Sequence, residues 1–158
     1  MITLEHVNPR GTRVYMGTLT HGADVHNSFV QMARELNIPA AKFDMLGGLS
    51  RVELSEYDAV TRQRKGTRTF ERHLEVVGGH GTLSWLNVAP QVHLHLVIAF
   101  QDETHAHGIT LIGGHVIRAT AFALEFTLNV YEGAPVERAM DEGTGLALWH
   151  LPIFETRP

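Results

Sequence analysis

Cysteine is absent from the 158 residues. That excludes disulfides, thiolate metal ligands and a cysteine nucleophile, and it fits a reducing compartment. Long hydrophobic runs are also missing. No apolar stretch approaches the roughly 20 residues of a membrane-spanning helix. Residues 1–10, which include Glu5, His6, Asn8 and Pro9, lack the apolar segment of a secretory leader. Together these features predict a cytoplasmic protein with no membrane partner. Positive charge is scarce: 13 Lys and Arg against 17 Asp and Glu leave a net charge of −4. The broad basic footprint that drives non-specific nucleic-acid binding is therefore not expected. What is there, 44% hydrophobic and 19% charged residues, is the balance of one globular domain with a real core.

Histidine is plentiful, with eleven in the chain, and the most informative are in residues 92–116. Residues 92–100 alternate as a strand does. Leu94, Leu96, Ile98 and Phe100 point one way, while His93, His95, Val97 and Ala99 point the other. Two imidazoles two residues apart stand on one face, about 6.5–7 Å apart, a workable separation for two nitrogens on one metal ion. His115 follows Gly113 and Gly114, and could add a third ligand if the two segments are neighbours in a sheet. Neutral imidazole is a good ligand for zinc and similar divalent ions. Three such ligands leave a fourth position open for water or substrate. His105 and His107 form a second H-x-H, but they lie in the polar turn 101–108 and read as solvated.

The rest of the chain reads as strands around one helix. A strand is expected over 13–19 and an amphipathic helix over 25–36. Asp24 would cap the helix, Val25, Phe29, Met32, Ala33 and Leu36 would form its buried stripe, and Asn37 and Pro39 would stop it. His26 lies beside the stripe, partly exposed. Further strands are expected over 40–46, 49–57, 69–77, 82–88, 92–100, 115–120 and 121–131. Gly47-Gly48 would break the chain between strands, 58–67 would be a polar loop or hairpin turn, and 78–81 a turn or bulge. In 121–131, Phe122, Leu124, Phe126, Leu128 and Val130 would share the core face. The weakly periodic remainder from Gly133 is expected to pack over the sheet through Leu146, Leu148, Trp149 and Leu151. The predicted class is α+β: a mostly antiparallel sheet with one main helix.

Several of these segments, in this order, resemble the PPC (plants and prokaryotes conserved) domain in its stand-alone bacterial and archaeal form. They are R-V-Y-M-G-T-L-T-H-G-A-D-V at 13–25, E-L-N-I-P-A-A at 35–41, G-G-L-S-R-V-E-L at 47–54 and H-L-E-V-V-G-G-H-G-T-L at 73–83. V-H-L-H-L-V-I-A at 92–99, G-G-H-V-I at 113–117 and the strand containing Glu125 follow. The likeness divides the chain into an N-terminal segment 1–11, a domain 12–132 and a C-terminal tail 133–158. It implies a homotrimer, and a metal site, often zinc, at His93, His95 and His115. It also implies DNA binding, since the family is described mainly as DNA-binding or of unknown function. The Arg-Gly-Arg minor-groove hook of plant members is missing. The nearest sequence is Arg64-Lys65-Gly66-Thr67-Arg68, within the basic cluster of Arg62, Arg64, Lys65, Arg68 and Arg72, and such charge clusters usually form solvated loops.

Three activities follow. The first is a trimeric metal-binding module, whose ion is structural or holds a small anionic ligand. The second is a zinc-dependent hydrolytic enzyme, with Glu75 and Glu125 as candidates to assist a metal-bound water. The third is a DNA-binding regulator using Arg62, Arg64, Lys65 and Arg68. The cupin H-x-H pattern fits less well, because the first acid after His95 is Asp102 and a cupin's all-β architecture has no place for the helix.

Overall fold

The computed structural model describes residues 3–153. Strand β1 (Thr12–Leu19) leads into helix α1 (Val25–Glu35). There follow β2 (Ala41–Ser55), a small hairpin of β3 (Tyr57–Asp58) and β4 (Gln63–Arg64), then β5 (Arg68–Leu86), β6 (Ala89–Gln101) and β7 (Ile109–Tyr131). A second small hairpin, β8 (Arg138–Met140) and β9 (Ala147–Trp149), ends the described chain. The main sheet has the order β1-β7-β2-β5-β6, and all its pairings are antiparallel. The long β7 changes partners along its length. It pairs with β6 over Ile109 to His115, with β2 over His115 to Val130, and with β1 over Leu124 to Tyr131. The ladder β7-β2-β5-β6 thus returns to β7 and closes a ring. No helix among the described residues is long and apolar enough to cross a membrane.

One short helix fills the concave side. Asp24 caps α1 by accepting from the Asn27 amide at 2.9 Å, and Asn37, in left-handed conformation at φ 49°, follows its last turn. Val25, Phe29 and Ala33 are buried, as the sequence pattern anticipates. Phe29 stacks on Phe43 at a 4.0 Å centroid distance and meets Phe126 edge-on. The inward residues of the strands, among them Leu49, Leu74, Leu94, Ile98 and Leu128, complete this core. The outward face carries no second layer over β1, and Met16 there is 85% exposed.

The glycine pairs do not end strands. Strand β2 runs through Gly47-Gly48 with register shifts on either side, and β5 runs through residues 78–81 with one shift between Val76 and Gly78. The reason is packing. A Cβ on Gly81 would lie 2.0 Å from the Phe43 ring, so the missing side chain makes room for the core aromatic. A shift opposite Gly48 and Leu49 also changes the facing of β7. Ala121 is buried while Phe122 is exposed, and the inward phase resumes at Leu124, so Phe122 leaves the predicted core face. The turn between β5 and β6 is a two-residue one at Asn87-Val88, both at positive φ. Pro90 therefore lies within β6, opposite Trp85. In the tail, Val136 is buried, whereas Leu148 and Trp149 stay substantially exposed.

Candidate metal centre

Register brings the histidines together. His115 faces Ser55 across β2 on one side and His95 across β6 on the other. His93, two residues before His95, shares its face and lies opposite Thr82. The three ring centroids form a nearly equilateral triangle with sides of 5.0, 5.1 and 5.2 Å. One ligating nitrogen from each ring lies within 4.8 Å of the other two, and the Nε2 atoms of His93 and His95 are 3.1 Å apart. Two nitrogens each about 2.0–2.1 Å from a tetrahedral ion would be about 3.3–3.4 Å apart. The donor set therefore fits a divalent metal, and these three residues can hold one. Gly113 lets β6 and β7 approach here, since a Cβ on it would lie 2.6 Å from the Leu96 carbonyl oxygen.

Partial desolvation favours the neutral, ligating form of the rings, although the His93 and His95 side chains remain exposed. Burial pushes His93 down to about 4, with Arg138, His95 and Arg64 adding to the effect. Burial pushes His115 down to about 3, with Arg64 the next contributor. His95 is lowered by burial and then by Arg64. Behind the triangle, His26 on α1 is also lowered by burial. The Nδ1 atoms of His26 and His115 are buried without hydrogen-bond partners among the described residues.

The triangle opens into a groove of about 1920 Å³. Arg64 and Arg138 line it together with the apolar Leu54, Val92 and Trp149. Arg138 comes from the tail, where it donates to the Ser84 hydroxyl at 2.6 Å and the Ala147 carbonyl at 2.8 Å. Its proximity to His93 depends on where the tail docks, and nothing in the local sequence signals it. A second unanticipated residue is His80, opposite His95 in the register. Its Nδ1 is 2.5 Å from Asp44 Oδ1, on a segment the sequence pattern marks as a turn or bulge. His80 does not join the triangle.

The other predicted residues are dispersed. Glu75 bonds His73 at 3.2 Å and pairs with Ala99, four residues along β6 from His95 and so about 13 Å away. Glu125 pairs with Thr18 and Leu46, ten residues along β7 from His115 and so about 33 Å away. Neither lines the groove. The basic run is split. Lys65 pairs with Glu56 at 3.0 Å, and Arg62 donates to the Glu142 carbonyl at 3.2 Å. Arg72 lies over the Phe100 ring, whereas Arg64, Lys65 and Arg68 line the groove.

The model of the Plants and Prokaryotes Conserved (PCC) domain matches residues 7–132. The chain belongs to this family. Among solved structures, this PCC-domain protein is similar to a metal-containing protein from Archaeoglobus fulgidus, at 25% identity and a TM-score of 0.79 over 94% of this chain and 98% of that one. A plant- and prokaryote-conserved (PPC) protein from Pyrococcus horikoshii shares the fold at 21% identity and a TM-score of 0.77, over 90% and 94%. A candidate DNA-binding protein from Ralstonia eutropha is 27% identical, with a TM-score of 0.75 over 93% and 95%. No curated protein matches the chain.

Proposed function

We propose that this PCC-domain protein is a metal-binding module in which His93, His95 and His115 hold one zinc or other divalent ion. The supporting observation is the three-nitrogen triangle with its 3.1 Å Nε2 separation. The metal-containing relative from Archaeoglobus fulgidus agrees with it. When bound, the ion supplies Lewis acidity and an open position for a small anionic ligand. The chain's part is to present three uncharged rings on two paired strands and to wall the position with cations and apolar side chains. The hydrolytic alternative lacks a comparable observation, since Glu75 and Glu125 line no part of the groove.

The test is metal content per chain in protein purified without an affinity tag. About one metal per chain, lost in His115→Ala, is the expected result. Metal-free protein that also takes up none on dialysis against zinc overturns the reading.

On this reading the module is a homotrimer of chains divided into a segment 1–11, a domain 12–132 and an appendage 133–158. Support for self-association comes from the exposed apolar side chains on four strands of the main sheet, Met16, Leu46, Val77 and Leu111. Light scattering should give three times the chain mass, and a monomer would refute the assembly without touching the metal. A second reading, DNA binding through Arg62, Arg64, Lys65 and Arg68, draws support from the Ralstonia eutropha relative. It requires duplex affinity that falls steeply with salt. Affinity unchanged by Arg64→Ala and Lys65→Ala would remove the basic loop from that reading.

A further inference from the structure

The groove carries the opposite sign to the molecule. Five cationic side chains line it, Lys42, Arg64, Lys65, Arg68 and Arg138, against two carboxylates, Glu5 and Glu56, whereas the whole chain has a net charge of −4. Lys42 is matched by Asp44 at 3.2 Å and Lys65 by Glu56 at 3.0 Å. Arg64, Arg68 and Arg138 have no ion-pair partner among the described residues.

Arg138 is the telling case. It is partly buried, and its contacts are all neutral: Ser84 Oγ, the Ala147 carbonyl and, at 3.4 Å, Thr82 Oγ1. A guanidinium has five N–H donors, so two remain unspent. A buried cation without a counter-charge is costly unless an anion meets it. Its hydrogen-bond partner Thr82 lies directly opposite His93, and its charge acts on the His93 ring, so the guanidinium is beside the histidine triangle. Arg64, on β4, is close enough for its charge to act on all three rings. The walls beyond these charges are apolar, with Leu54, Phe70, Val92, Ile112 and Trp149 among the lining residues.

We propose that the groove binds a small amphipathic oxyanion. Its carboxylate or phosphate head would sit between the histidine triangle, Arg64 and Arg138, and its apolar body along the Val92 and Trp149 wall. This rests on the reading of His93, His95 and His115 as a ligand-holding metal site, and it names the class of ligand that site takes. Guanidinium is suited to this role, because its planar fork matches carboxylate and phosphate oxygens in pairs.

The experiment is calorimetric titration of the full-length, metal-loaded protein with octanoate, octyl phosphate and octan-1-ol, with metal content measured in the same samples. Octanoate or octyl phosphate should bind saturably, at least about tenfold tighter than the alcohol of equal body length, the scale of one charged hydrogen bond. Whichever anion binds tighter identifies the head group as carboxylate or phosphate. Arg64→Gln should weaken the anion by about tenfold while metal content stays at the wild-type level. Arg64 is exposed, so this variant keeps the test valid even if Arg138→Gln fails to fold. Equal affinity for alcohol and anions, no saturable anion binding, or full affinity in Arg64→Gln would each overturn the proposal. Loss of the metal reading looks different: no metal in the wild type, whatever the anions do.

Discussion

The depressed histidine pKa values make a quantitative prediction about metal binding in acid. A metal must displace any proton on its ligands. Were His93 and His115 ordinary histidines of pKa 6.5, each would be protonated about 97% of the time at pH 5. Competition would then weaken the metal by about 30-fold per ring, or about a thousandfold for the two together relative to pH 7.5. With His93 near 4 and His115 near 3, the same competition costs only about 1.1-fold. The rings open onto the groove, so solvent screens part of the shift. If half of each shift were lost, the penalty from these two rings would still be only about fourfold. The assay is competition against a chromophoric chelator at pH 7.5, 6.5, 5.5 and 5.0, corrected for the chelator's own protonation. These two rings should add no more than about fourfold, and His95, also lowered by burial, less than the roughly 30-fold of a free histidine, so a fall well short of a thousandfold is expected. A thousandfold fall by pH 5 would refute the reasoning, because it would show rings as basic as those of free histidine.

The same shifts act on the stability of the metal-free protein with a definite sign. The unfolded chain takes up protons near pH 6.5 that folded His93 and His115 refuse until about 4 and 3. Stability is therefore fully present above 6.5 and declines as the pH falls below it, and urea midpoints between pH 7.5 and 4 should show that fall. Gly81→Ala should cost about 1–3 kcal/mol in urea unfolding. Its Cβ would strike Phe43, which is fully buried and held by the Phe29 stack. The control Gly66→Ala, with open space around it, should be within about 0.5 kcal/mol of wild type. Asp24→Ala should lose about 1 kcal/mol by removing the helix cap, and Asp24→Asn should recover most of it in the same assay.

Much of the scaffold was legible in the sequence because its signals are local. The helix announces itself through Asp24, the 25/29/33 stripe and Asn37, and each keeps its expected role. The alternation in β6 separates Leu94, Leu96 and Ile98 from His93 and His95, and the observed burial follows it. Glycine misled where its purpose was steric. Gly47-Gly48 suggests a break between strands and the G-G-H-G run a turn or bulge; both instead lie within long strands, the second beside a register shift between Val76 and Gly78, and their glycines admit neighbours. Facing failed at Phe122 because a bulge against β2 depends on the partner strand, which no local pattern encodes. For the same reason Glu75 and Glu125 could be nominated but not located. The distance of Glu75 from the triangle is set by the β5–β6 register, and that of Glu125 by β7 running unbroken through both it and His115.

The origin of each groove residue suggests a division of labour. All three histidines come from segments within the matched domain, on two strands that must pair for the main sheet to close. The flanking charges come from the periphery, Arg64 inside the matched domain and Arg138 outside it. Arg64 stands on a two-residue strand of a peripheral hairpin, and Arg138 lies beyond residue 132, in the tail. Changes in a hairpin tip or a tail leave the core and the ring of strands intact, and such peripheral segments tolerate change far better than packed strands. The geometry thus separates a scaffold able to hold an ion from a periphery that sets the charge and shape of what reaches it. Substitutions at Arg64 and Arg138 should accordingly alter ligand preference while leaving the histidine triangle in place.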